Sequence, residues 1–203
     1  MGILQTIIYT ISSGLLYPVM TLLVLLSIWI VILAGGILSE WIMRLRLKGN
    51  FDISGYLSYI NKNKKLPDEV EHHIPLNIRI YTRKLSSLVK ERGGFLNERI
   101  ESLIQDKEMK LSKELDRIRF IVRAGPSLGL MGTLIPMGTG LAAMSQGDMA
   151  QMSSSLIIAF TTTVVGLAIG ITAFLFSSIK NRWIQQDIRD IELITEAMTG
   201  SDA

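Results

Sequence analysis

The chain alternates between long stretches without charge and a middle that is dense with it. From Met1 to Ser39 there is no Asp, Glu, Lys, Arg or His, and two more uncharged runs cover 124–144 and 154–178. As helices rising 1.5 Å per residue, such runs reach about 30 Å or more, the thickness of the hydrocarbon core of a bilayer. Soluble core helices of that length keep a polar face. The pattern therefore predicts an all-α integral membrane protein with three transmembrane helices, at 15–39, 124–144 and 154–178.

Charge orients these spans. Between Glu40 and Arg123 there are 18 Lys and Arg against 12 Asp and Glu. The connection between the second and third spans, 145–153, carries one acid, Asp148, and no base, whereas Lys180 and Arg182 follow the third span at once. The positive-inside rule places 40–123 and the C-terminal helix 179–203 in the cytoplasm, and the N-terminus and the loop 145–153 outside. The basic residues are interleaved with acids and flank membrane spans, so the net charge of +3 gives no sign of nucleic-acid binding.

Residues 1–14 lack the basic start of a cleaved signal peptide. MGILQT fits the myristoylation pattern, but that modification belongs to the cytoplasmic side and this end is expected outside. Ile3, Leu4, Ile7, Ile8 and Ile11 share one helical face opposite Gln5, Thr6 and Ser13, which predicts an amphipathic helix on the outer membrane surface. Tyr17–Pro18 would then turn the chain into the first span.

Within 40–123 the pattern is helical. Asp52 caps a short helix carrying Ile53, Tyr56, Leu57 and Ile60. Pro75 opens a second helix that ends at Gly93–Gly94. A third starts at Phe95 and meets no breaker before Gly125, with Ile100, Ile104, Leu111, Leu115, Ile118 and Val122 on one stripe. That stripe faces either other helices of a long rod or a small domain beneath an otherwise solvated helix. His72 and His73 are adjacent, so on a helix they diverge by about 100° and do not share a metal. With no cysteine, disulfides and thiol chemistry are excluded. No catalytic constellation, metal site or cofactor motif is present.

The second span is full of residues that weaken helices. Gly125, Gly129, Gly132, Thr133, Pro136 and Gly140 recur every three or four positions, and the third span has Ala159, Thr163, Gly166, Gly170 and Ala173. In lipid, helix association depends on close packing, which small residues permit. The two strips pack on each other or on the same helices of neighbouring copies. Pro136 frees a carbonyl in mid-membrane, tolerable where it is buried in protein or faces water. Thr133 and the adjacent Thr161, Thr162 and Thr163 either bond their own helix backbone or line a narrow polar seam. None of the three spans holds an acid, base or histidine, so this chain alone cannot hold a proton midway through the bilayer.

AGPSLGLMGT (124–133) resembles the signature that opens the second span of the MotA/TolQ/ExbB proton-channel proteins, and AFTTTVVGLA (159–168) is similar to a segment of their third span. The resemblance implies a ring-forming subunit, a homopentamer, in the cytoplasmic (inner) membrane of a prokaryote. A single-span ExbD-, TolR- or MotB-like partner would supply an essential aspartate. Thr133 and Thr163 match family threonines beside the ion pathway, with Thr162 adjacent, and the translocated ion is H⁺ or Na⁺. ExbB- and TolQ-type members carry a glutamate where this chain has Ile158. The rival expectation is a homo-oligomeric membrane scaffold or adaptor that conducts nothing and whose glycine strips serve packing.

Overall fold

The computed structural model describes residues 2–47, 59–60, 76–91 and 96–199. Its main elements are five helices: α1 (Ile3–Gly14), α2 (Leu16–Leu47), α3 (Leu76–Glu91), α4 (Leu96–Ser145) and α5 (Met149–Thr199). There is no strand among the described residues. Three helical stretches, Ile7–Arg46, Glu98–Ser145 and Met149–Thr199, are long and apolar enough to cross a membrane. The expected helix around Ile53, Tyr56 and Leu57, and the residues His72, His73, Pro75, Gly93 and Gly94, lie outside the described residues.

Two boundaries differ from those expected. Leu15 alone separates α1 from α2, and helical hydrogen bonds bridge it, from Leu15 N to Ile11 O (3.1 Å) and from Val19 N to Leu15 O (3.1 Å). Pro18 therefore makes no turn with Tyr17. It sits in the first turn of α2, where a missing N–H costs little. Between α4 and α5 the connection shortens from 145–153 to Gln146–Asp148. Gly147 takes a φ of 79° there, a left-handed conformation that glycine adopts freely. Asp148 Oδ1 accepts a hydrogen bond from Gln151 N at 2.9 Å, capping α5, which starts at Met149, ahead of the span expected from 154.

The chain divides into two compact units. Unit 1 comprises Met1–Gly36 and Asp116–Ser177. In its core the α2 stripe Val19, Leu23, Leu26 and Ile30 meets Ile121 of α4 and Ile169 and Ala173 of α5. The α2 spacing of four, three and four residues is one helix face. The other faces of α2 expose Leu22, Val24, Leu25, Val31 and Ile32. In lipid such side chains lose nothing by facing outward, because acyl chains are as apolar as leucine.

Unit 2 comprises Ile37–Leu115 and Ser178–Ala203. Ile78, Tyr81 and Leu85 of α3 pack with Ile60, with Ile100 of α4, and with Ile191, Ile194 and Met198 of α5. The Tyr81 hydroxyl shares a hydrogen bond with Thr195 Oγ1 at 2.6 Å. A smaller cluster joins Leu111 and Leu115 to Ile184. Arg44, late in α2, holds both carboxylate oxygens of Asp187, at 2.9 and 2.7 Å. Its plane lies over Trp183, 5.1 Å from the ring centroid. Arg44 also donates to Glu40, which accepts from Lys180 at 2.7 Å. The Asp187 side chain is 3% exposed, so its charge depends on these partners.

Candidate ion-pathway site

The site lies within unit 1, where α4 and α5 run against each other. Gly125, Gly129, Gly132, Pro136 and Gly140 of α4 are all buried, as are Ser155, Ala159, Thr162, Gly166 and Gly170 of α5. The approach is measured by what a β-carbon would meet. At Gly166 it would lie 2.6 Å from Gly129 Cα and 2.7 Å from Gly125 O, both backbone atoms. At Gly129 it would lie 3.1 Å from Gly166 Cα, and at Gly125 3.0 Å from Gly166 O. Glycine is needed here for contact, since any side chain would push the two backbones apart.

Side chains fill the rest of the seam. Thr162 occupies the hollow at Gly132, where a β-carbon would come within 2.7 Å of its Cβ. Pro126 seats its ring on Gly170, and Ser155 lies opposite Gly140. The serine was missed in sequence because its run, SSSL, has no glycine to mark it as part of the strip. Gly138 does not join the seam and has nothing within 4 Å of a built β-carbon.

Thr133 and Thr163, both half-buried, meet beside this glycine contact, hydroxyl to hydroxyl. Each also lies at 3.0 Å from a carbonyl on its own helix, Thr133 Oγ1 from Gly129 O and Thr163 Oγ1 from Ala159 O. Each hydroxyl carries one proton, so two protons serve three contacts. If Thr133 donates to Thr163, Thr163 donates to Ala159 O; if Thr163 donates to Thr133, Thr133 donates to Gly129 O. The pair has two opposite donor directions that differ by hydroxyl rotation alone.

Thr162 behaves differently. Its hydroxyl turns back on Ile158 O (3.0 Å) and Ala159 O (2.9 Å), and its body packs under Gly132. It takes no part in the threonine pair. Thr161 is exposed and bonds Ile157 O. Ile158 is half-buried and offers no acid beside the pair. Thr139 Oγ1 donates to Pro136 O at 2.9 Å.

The site holds no acid, base or histidine, and no group of three or more metal-binding side chains exists among the described residues. What it offers is a pair of reorientable hydroxyls between two backbones in contact. The sequence model of the MotA/TolQ/ExbB proton channel family matches residues 76–193, more than half of the chain and all of this site. The chain belongs to the MotA/TolQ/ExbB proton channel family.

A similar protein from Methanothermobacter thermautotrophicus is described as a biopolymer transport protein ExbB homolog. The two are 30% identical over 123 residues, covering 56% of this chain and 44% of that one. The chain thus spans less than half the length of the curated relative it matches. No solved structure matches it.

Proposed function

We propose that this chain is the ring-forming, ion-conducting subunit of a membrane complex powered by an ion gradient, with no enzyme activity. In this reading it lies in the cytoplasmic (inner) membrane of a prokaryote, N-terminus outside and C-terminus inside. The excess of bases over acids in 40–123 supports that orientation. Five copies surround a single-span ExbD-, TolR- or MotB-like partner that contributes the membrane aspartate.

The observation that carries the reading is the contact between the Thr133 and Thr163 hydroxyls. A carboxylate brought beside them would accept one hydroxyl proton of the pair, the one that otherwise goes to a carbonyl of its own helix. On protonation the same hydroxyls can turn to accept, because the pair has two donor directions. Gly125, Gly129, Gly132, Pro136, Gly140, Ala159, Gly166 and Gly170 hold the helix contact that keeps the pair together, with Thr162 packing rather than conducting. The transmembrane potential supplies about 2.3 kcal/mol per unit charge per 100 mV, so a few ions suffice for a conformational step. The ion is H⁺, as the family description indicates, with Na⁺ the alternative for a chain that has Ile158 in place of an acid.

Co-expression with a single-span, aspartate-bearing partner tests this. A stable complex whose activity disappears when the gradient is collapsed supports it. A homo-oligomer that binds no such partner and is indifferent to the gradient would instead be a scaffold.

A further inference from the structure

Ser153, Ser154 and Ser155 follow one another near the start of α5, and the last alone is buried, at 7% exposed. It faces Gly140 of α4 across the seam. A β-carbon on that glycine would lie 3.1 Å from Ser155 Cβ and 3.7 Å from both Ser155 Oγ and Met152 O. The hydroxyl and this carbonyl therefore border the same hollow. Elsewhere in α4 and α5 hydroxyls turn back on their own helices, as Ser127 does on Arg123 O, Thr161 on Ile157 O and Thr162 on Ile158 O. Ser155 does not: its hydroxyl makes no hydrogen bond among the described residues. Every buried side-chain polar atom sealed from solvent has a partner among those residues, so Ser155 Oγ lies at a narrow opening of the seam. A buried hydroxyl without a partner is costly, and a water molecule that reaches it removes the cost.

We propose that the Ser155–Gly140 hollow holds a water molecule and forms the outer port of the ion path. The inference rests on the ion-conducting function proposed above and on its orientation, which puts this end outside. A hydroxyl that donates or accepts, beside a carbonyl that accepts, suits water, which does both. Eight residues separate Ser155 from Thr163, about 12 Å along α5. That is farther than one hydrogen bond spans, so the port is a step distinct from the threonine pair.

The chain has no cysteine, so a substituted thiol is unique. Ser155→Cys and Ile157→Cys, each in the full-length chain in phosphatidylcholine nanodiscs, are treated with a charged methanethiosulfonate that stays in water. Thiols react as thiolates, which burial in apolar surroundings suppresses. Ile157 is exposed on the outside of the helix pair, where acyl chains would cover it. Ser155→Cys should react about tenfold faster or more. In liposomes holding the complex, Ser155→Ala should lower proton flux about fivefold, the loss of one hydrogen bond, whereas Ser154→Ala at an exposed position should not. An unreactive Ser155→Cys, equal rates at the two positions, or undiminished flux in Ser155→Ala would overturn the port and leave the function standing. A wild-type complex without flux would overturn both.

Discussion

Replacing Gly166 by alanine adds a single methyl group, and the structure says what it meets. The new β-carbon would lie 2.6 Å from Gly129 Cα, 2.7 Å from Gly125 O and 3.0 Å from Gly129 N. All three are backbone atoms, so no side chain can rotate away and the two helices must separate. Overpacking of this kind costs about 1–3 kcal/mol, and separation would also loosen the Thr133–Thr163 contact. Alanine favours helix over glycine by about 1 kcal/mol, which offsets part of the loss. Gly138→Ala makes the same chemical change where nothing lies within 4 Å, so the propensity gain alone remains. Reversible unfolding in mixed micelles, under conditions where the chain is monomeric, should find Gly166→Ala less stable than wild type by up to about 2 kcal/mol, and less stable than Gly138→Ala by about 1–3 kcal/mol. Gly138→Ala should be equal to wild type or slightly more stable. Equal effects at the two positions would refute the reasoning, because they would mean that α4 and α5 do not approach backbone to backbone.

Two further changes probe unit 2. Asp187→Ala leaves Arg44 without its bidentate partner; since Arg44 retains Glu40, the expected loss is about 2–3 kcal/mol, below that of a fully isolated buried charge, measured by chemical unfolding. Burial raises the Tyr81 phenol above the ordinary 10.0, against the opposing effect of its hydrogen bond with Thr195. Its folded form holds the proton more tightly than the unfolded chain, so this contribution is intact below pH 10 and fades as pH rises through the higher folded value. Thermal melts at alkaline pH should show that loss in the wild type and less of it in Tyr81→Phe.

The membrane spans were legible because charge is the costliest thing to place in lipid, and the first 39 residues contain none. The small-residue strips were legible because a spacing of three or four defines a helix face. That same spacing is loose by one residue: Thr163 was placed on the strip with Thr162 beside it, whereas Thr162 faces Gly132 and Thr163 faces Thr133. The loop 145–153 was read too long because Gln151, Ser153 and their neighbours are polar, although Asp148 caps the helix that contains them. The Arg44–Asp187 pair joins residues 143 positions apart, and no periodicity along one helix can report a partner on another.

The central claim is that the Thr133 and Thr163 hydroxyls line an ion path completed by a partner carboxylate. Proton flux into liposomes holding the chain with its single-span partner tests it most directly. Flux should require the partner's aspartate and should fall to the level of empty liposomes in Thr133→Val/Thr163→Val, with the assembled complex still recovered intact. Undiminished flux through an intact complex of that double variant would contradict the account.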